Sequence, residues 1–200
     1  MSKCARTQAV CTIVSMTNTP RLRAVHAKAA ILLLLLASSA LSQSLSHIPA
    51  AHGVTLTGVS VTLPQSLQGE PAVLILGFSH ASQAQVANWG NHLAQVNGDS
   101  KEVTFYEIPM LGGAPKMLRG MIIKSMGKSV PEAQKPHFLP LTEDDKPWRT
   151  AANYDKPDIA YILLVDGNGA IRWRTEGDES DTTYSELMRH LAEVSRQGVR

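Results

Sequence analysis

Beyond the first 42 residues, two stretches of the chain are apolar at every position: Ala72-Val73-Leu74-Ile75-Leu76-Gly77-Phe78 and Ala160-Tyr161-Ile162-Leu163-Leu164-Val165. A strand with one face in water alternates apolar and polar residues; a strand covered on both faces does not. Both runs therefore predict central strands of a sheet that carries a layer on each side.

The rest of the sequence offers those layers. Thr57 to Leu63 alternates, with Val59, Val61 and Leu63 on one face, and reads as a half-buried strand. Ser82 to Val96 reads as a helix, with Ser82 and Gln85 spaced as a capping box and Val86, Trp89, Leu93 and Val96 on one face. Val103 to Ile108 reads as a strand in which Val103, Phe105 and Glu107 oppose Tyr106 and Ile108. After Gly112-Gly113, Pro115 opens a helix reaching Ser125, with Leu118, Met121, Ile122 and Met126 on one side. Short elements are expected at 131–137 (helical turn), 138–141 (strand) and 146–153 (helix). Asp166-Gly167-Asn168-Gly169 suits a tight hairpin turn, and Ala170 to Arg174 its returning strand. Thr183 with Glu186 can cap a last helix whose core face is Tyr184, Leu187, Leu191 and Val194. The expected fold class is α/β, a central mixed β-sheet flanked by helices.

The 200 residues suggest one domain behind a leader. Residues 29–37 form a short apolar run with five consecutive leucines, preceded by Arg21, Arg23 and Lys28 and followed by Ser38, Ser39, Ala40 and Ser42. This is the pattern of a secretory signal peptide, cleaved after Ala40 or Ser42, and the run falls short of the roughly 18 residues a spanning helix needs. The reading is residues 1–42 as extension and signal peptide, 43–56 as linker, and 57–200 as the folded domain, exported to a periplasm or secreted. A mitochondrial presequence is the alternative, because the leader is basic and serine-rich and the first acidic residue is Glu70.

The whole chain has 19 basic and 17 acidic residues. Lys3, Arg6, Arg21, Arg23 and Lys28 precede residue 44, which leaves 14 basic against 17 acidic and a formal charge of −3. The basic isoelectric point belongs to the leader and gives no argument for a nucleic-acid partner. Both cysteines, Cys4 and Cys11, fall in the leader, so the domain after it has no thiol for redox chemistry, a disulfide or metal ligation. Its histidines are scattered, with no i, i+4 pair, and the sequence implies neither metal nor cofactor.

Strand order and the Asp-Gly-Asn-Gly hairpin resemble the thioredoxin-like superfamily. Where its enzymes carry Cys-x-x-Cys at a helix N-terminus, this chain has Ser79 and Ser82 around His80, and the place of the proline before the later buried strand is taken by Tyr161. More specifically, the segment from Pro71 to Leu191 resembles the mitochondrial ATP synthase assembly factor family. The residues that carry the resemblance are the buried strand ending in Phe78-Ser79, then Val130-Pro131-Glu132-Ala133-Gln134 with His137-Phe138, and the run from Tyr161 to Trp173 that ends Ile171-Arg172-Trp173. The resemblance implies a non-redox assembly chaperone with a protein partner, a membrane-complex subunit, on the matrix side of the mitochondrial inner membrane; the leader points instead to export.

Three groups of residues are candidates for function. Ser79, His80 and Ser82 sit at a helix N-terminus and read as a polar binding or hydrolytic site with His80 as base, or as a helix cap beside an exposed histidine. Met110, Met117, Met121 and Met126 read as core, or as a pliable surface for apolar partners. Lys116, Arg119, Lys124 and Lys128 share that helix and read as a solvated face, or as a contact with anionic lipid headgroups. Trp173, between Arg172 and Arg174 on an edge strand, is the next candidate contact. The readings that follow are a binding protein that uses the 116–128 helix, an exported enzyme or ligand-binding protein with its site around His80, and a redoxin-derived protein of other role.

Overall fold

The computed structural model describes residues 46–97 and 103–198. The expected signal peptide lies outside the described residues. In chain order the elements are β1 (Ala51–Val54), β2 (Ser60–Leu63), β3 (Gly69–Gly77), α1 (Gln83–Asn97), β4 (Thr104–Pro109), α2 (Lys116–Ser129), α3 (Lys146–Ala152), β5 (Ala160–Gly167), β6 (Ile171–Glu176) and α4 (Asp181–Gly198), with single 3-10 turns at Gln65–Leu67 and Lys135–His137.

The two apolar runs are the middle strands of a four-stranded sheet of order β4-β3-β5-β6. β3 pairs with β4 in parallel, which requires the crossover helix α1, and β5 pairs antiparallel with both β3 and β6. Alternate residues of β3 face opposite layers. Val73 and Ile75 pack with Trp89 and Leu93 of α1 and Leu187 and Leu191 of α4. Leu74 and Leu76 pack with Trp148 of α3, the β1–β2 hairpin and Leu139 and Leu141. This is the mixed sheet with helices on both faces that the sequence predicts.

The expected linker at 43–56 is corrected from residue 46 onward. The main-chain N–H of Ile171 donates to Ser46 O at 2.7 Å and that of Ile48 to Gly169 O at 2.9 Å. Ile48, Ala51 and Thr55 are buried. Val59 is exposed because the strand begins at Ser60, leaving Val61 and Leu63 as its buried residues.

Both expected caps differ as well. Ser82 Oγ donates back to Ser79 O at 2.9 Å. Gln85 reaches across to β5, its Oε1 accepting the Ala160 N–H at 2.9 Å and its Nε2 donating to Asp178 at 3.2 Å. The box at α4 sits three residues earlier than Thr183 and Glu186: Thr183 N–H donates to Ser180 Oγ, and Ser180 N–H to Thr183 Oγ1. The strand expected at 138–141 is reduced to single bridges from Phe138 to Glu107 and Leu141 to Met110. The Asp166 turn forms as expected: Oδ1 accepts the N–H groups of Asn168 and Ala170, Oδ2 accepts Arg172 Nε at 2.9 Å, and Gly169 takes φ +83°.

Candidate functional site

β3 ends at Gly77 and the chain turns through Phe78 to Ala81 into α1. Ser79 Oγ accepts the Ala81 N–H at 3.1 Å and lies 3.3 Å from Asp158 Oδ1, to which it donates. Ser82 is fully buried, and its hydroxyl is used on Ser79 O. His80 is exposed, and among the described residues no hydrogen bond orients its ring. The residue that faces Ser79 is thus Asp158. Tyr161, expected at the proline's place, is buried inside β5, where its hydroxyl accepts the N–H groups of Asp155 and Lys156 at 2.9 and 2.8 Å.

This turn forms one lip of a groove of about 1030 Å³. The opposite wall is α2, through Ile122, Ser125, Met126 and Ser129, and Val130, Pro131 and Gln134 close the far end. Glu107 and Pro109 of β4 line it as well, with Met110 just past the strand's end. The sequence places Ser79, His80 and Ser82 on one helix terminus and the methionines on another helix; the fold sets Met126 of the second across one cavity from the first.

Glu107 is a residue the sequence reading set on one face of its strand with Val103 and Phe105, without a role. It is 2% exposed. Its main chain is fixed between Ile75 of β3 and Phe138, and its carbonyl accepts the Leu139 N–H at 2.8 Å. Oε1 has no hydrogen-bond partner. Burial pushes the carboxyl up to about 8, because removal from water penalises the charged form. The signal in the sequence is an acid in register with Val103 and Phe105.

α2 is unusual in having no buried residue. Met117 is 94% exposed, Met121 64% and Leu118 44%, so the core reading holds for Met110 alone among the four methionines weighed. Lys116, Lys124 and Lys128 are exposed. Arg119 is different: Nε donates to Ala114 O at 2.9 Å, and its two terminal nitrogens donate to Thr142 O at 2.6 Å and Gly112 O at 2.7 Å. Its guanidinium fastens the helix start to two loops and is occupied there. Trp173 is half-buried and stacks on His190 of α4 at 5.7 Å, which leaves only part of its ring for any contact. Among the described residues no group of three or more potential metal-ligating side chains occurs.

Comparison with known proteins places this architecture. The exposed lipoprotein thioredoxin Etrx1 of Streptococcus pneumoniae superposes with a TM-score of 0.53 at 10% identity, covering 72% of this chain and 99% of that one. Yeast Sco1 superposes at 0.51 with 15% identity, over 76% and 97% of the two chains. BsSco, a member of the Sco family of cytochrome c oxidase assembly proteins, does so at 0.50 with 15% identity, over 76% and 95%. At such identities the likeness establishes the thioredoxin-like fold and nothing of the chemistry. No curated protein is similar enough to the chain to match it. Residues 41–194 match the model of the family described as ATP10 protein. That match takes in the sheet, the groove and α2, and the chain belongs to the ATP10 protein family of ATP synthase assembly factors.

Proposed function

We propose that the domain acts by binding, without redox chemistry, and holds an apolar segment of a membrane subunit while ATP synthase is assembled. Family membership supports the assembly role. The observation that carries the binding mode is α2: fourteen residues with none buried, fronting a groove whose lining is largely apolar. A helix that gives nothing to the core presents its methionines to something else, and flexible thioether side chains adapt to apolar surfaces of varied shape. Lys116, Lys124 and Lys128 would keep that surface near anionic headgroups. The partner is a protein, with peripheral membrane contact. No helix among the described residues is long and apolar enough to cross a membrane. Family membership favours the mitochondrial inner membrane, matrix side, over export.

The rival reading, an enzyme or small-ligand site around His80, has the shared groove in its favour. Among the described residues no group holds the imidazole in one orientation, which general-base chemistry requires. Mild-detergent purification of the tagged full chain from its host decides between them. Recovery of membrane subunits of ATP synthase supports the assembly role; recovery of the protein free of partners overturns it.

A further inference from the structure

Glu107 lines an apolar groove, and its Oε1, packed against Gly90 of α1, has no hydrogen-bond partner among the described residues. A buried acceptor left without a donor costs roughly 1–3 kcal/mol, so native structures seldom keep one that nothing fills. Among the described residues no side chain is placed to fill it. Of the described residues lining the groove, only Glu107 and His80 titrate, and His80 is exposed at the lip. On α2, Lys124 and Lys128 are exposed and do not line the groove. On the segment beyond, Lys135 is paired with Glu132. His137 stacks on Phe105 at 4.1 Å, and its Nδ1 is 3.2 Å from Phe105 O. On α1, the residues that line the groove or touch the carboxyl, from Gln83 to Gly90, carry no charge.

We propose that the groove takes an apolar polypeptide segment bearing one basic side chain, and that Glu107 receives that side chain. This rests on the binding mode argued above and adds the chemistry of the ligand. Ile122, Met126, Val130 and Phe138 supply the apolar contact. A lysine or arginine supplies both the missing donor and the positive charge. An anionic ligand, a lipid phosphate included, would meet the carboxyl as a repulsive neighbour once it ionises. The empty site holds Glu107 protonated at neutral pH; a lysine ammonium entering it shifts the carboxyl to its ionised form, and one proton leaves to solvent. Binding therefore strengthens as pH rises towards 8.

The test uses the full chain and two fluorescent leucine–alanine peptides with serine-rich ends, identical except for one central lysine or leucine, followed by anisotropy in mild detergent. The wild-type protein is expected to prefer the lysine peptide by at least about tenfold at pH 8, in line with the penalty for leaving one partner of a buried pair unmatched, and less at pH 6.5. Glu107→Gln is expected to reduce the preference to about twofold or below at both pH values, and Ser125→Trp, which fills the groove, to weaken both peptides. Equal binding of the two peptides to wild-type protein overturns the inference and leaves the binding mode standing. Undiminished binding to Ser125→Trp overturns the location. No binding of either peptide overturns the inference and the groove as a peptide site together. Displacement of the lysine peptide by anionic vesicles, or self-association abolished by Ser125→Trp, identifies a lipid or a second copy as the occupant and also overturns it. Thermal melts of both variants establish that each is folded before its affinity is read.

Discussion

The carboxyl of Glu107 on β4 occupies the space that a side chain on Gly90 of α1 would need: a Cβ built there meets Oε1 at 2.2 Å. The crossover helix lacks a side chain at Gly90, where one would meet the buried acid. The two positions form a single steric unit, and each explains the other.

Replacing Gly90 by alanine is expected to destabilise the protein by about 1–3 kcal/mol, the usual penalty of overpacking, even though alanine favours a helix by about 1 kcal/mol over glycine. Adding Glu107→Ala is expected to recover most of that loss. Urea unfolding of the two single variants and the double variant measures the coupling; additive losses would mean that the two sites are independent.

Stability should fall as pH rises between about 4.5 and about 8. Above 4.5 the unfolded chain loses the Glu107 proton while the native chain keeps it up to about 8, so the unfolded state gains from ionisation first. Above 8 both states are ionised and this contribution levels off. The change amounts to a few kcal/mol at most. In Glu107→Gln this component of the pH dependence is absent, so the variant gains on wild type from pH 5 to pH 9 in chemical denaturation at fixed ionic strength.

Arg119→Ala should loosen the start of α2 without opening the sheet. The expected loss is about 1–2 kcal/mol for hydrogen bonds from a charged donor at a partly exposed site. Hydrogen exchange should accelerate across Lys116–Ser129 and remain slow in β3 and β5. Lysine should not restore protection, because an ammonium cannot span the three carbonyls of Ala114, Thr142 and Gly112 in one plane.

Met117→Ser together with Met121→Ser should change stability by no more than about 0.5 kcal/mol, since neither side chain is packed. Co-purification of membrane subunits should nevertheless drop severalfold. Unchanged recovery would remove these methionines from the contact surface.

Sequence exposes some of this and conceals the rest for physical reasons. β3 and β5 were legible because a strand buried on both faces cannot hide its composition. β1 was not, because its buried face is Ala51 and Gly53, too small to register as apolar. A Cβ at Gly53 would stand 2.8 Å from Leu139 Cδ1, so closeness to that layer, and no hydrophobic pattern, fixes the strand. Arg119 looked like one of four similar cations; only the fold reveals which of them three loop carbonyls surround. Glu107 was visible in the alternation of β4, but its isolation depends on what α1, α2 and the 131–138 segment decline to place beside it.

The absence of buried residues on α2 also bears on how the family can change. Substitutions in β3 or β5 are judged by the folding of the chain, and nearly all are rejected. Substitutions along Met117–Ser129, Arg119 apart, leave the core untouched and are judged mainly by the ligand. The helix is therefore the part of the domain free to follow its client through evolution, and its variation across relatives would be a record of what each one carries.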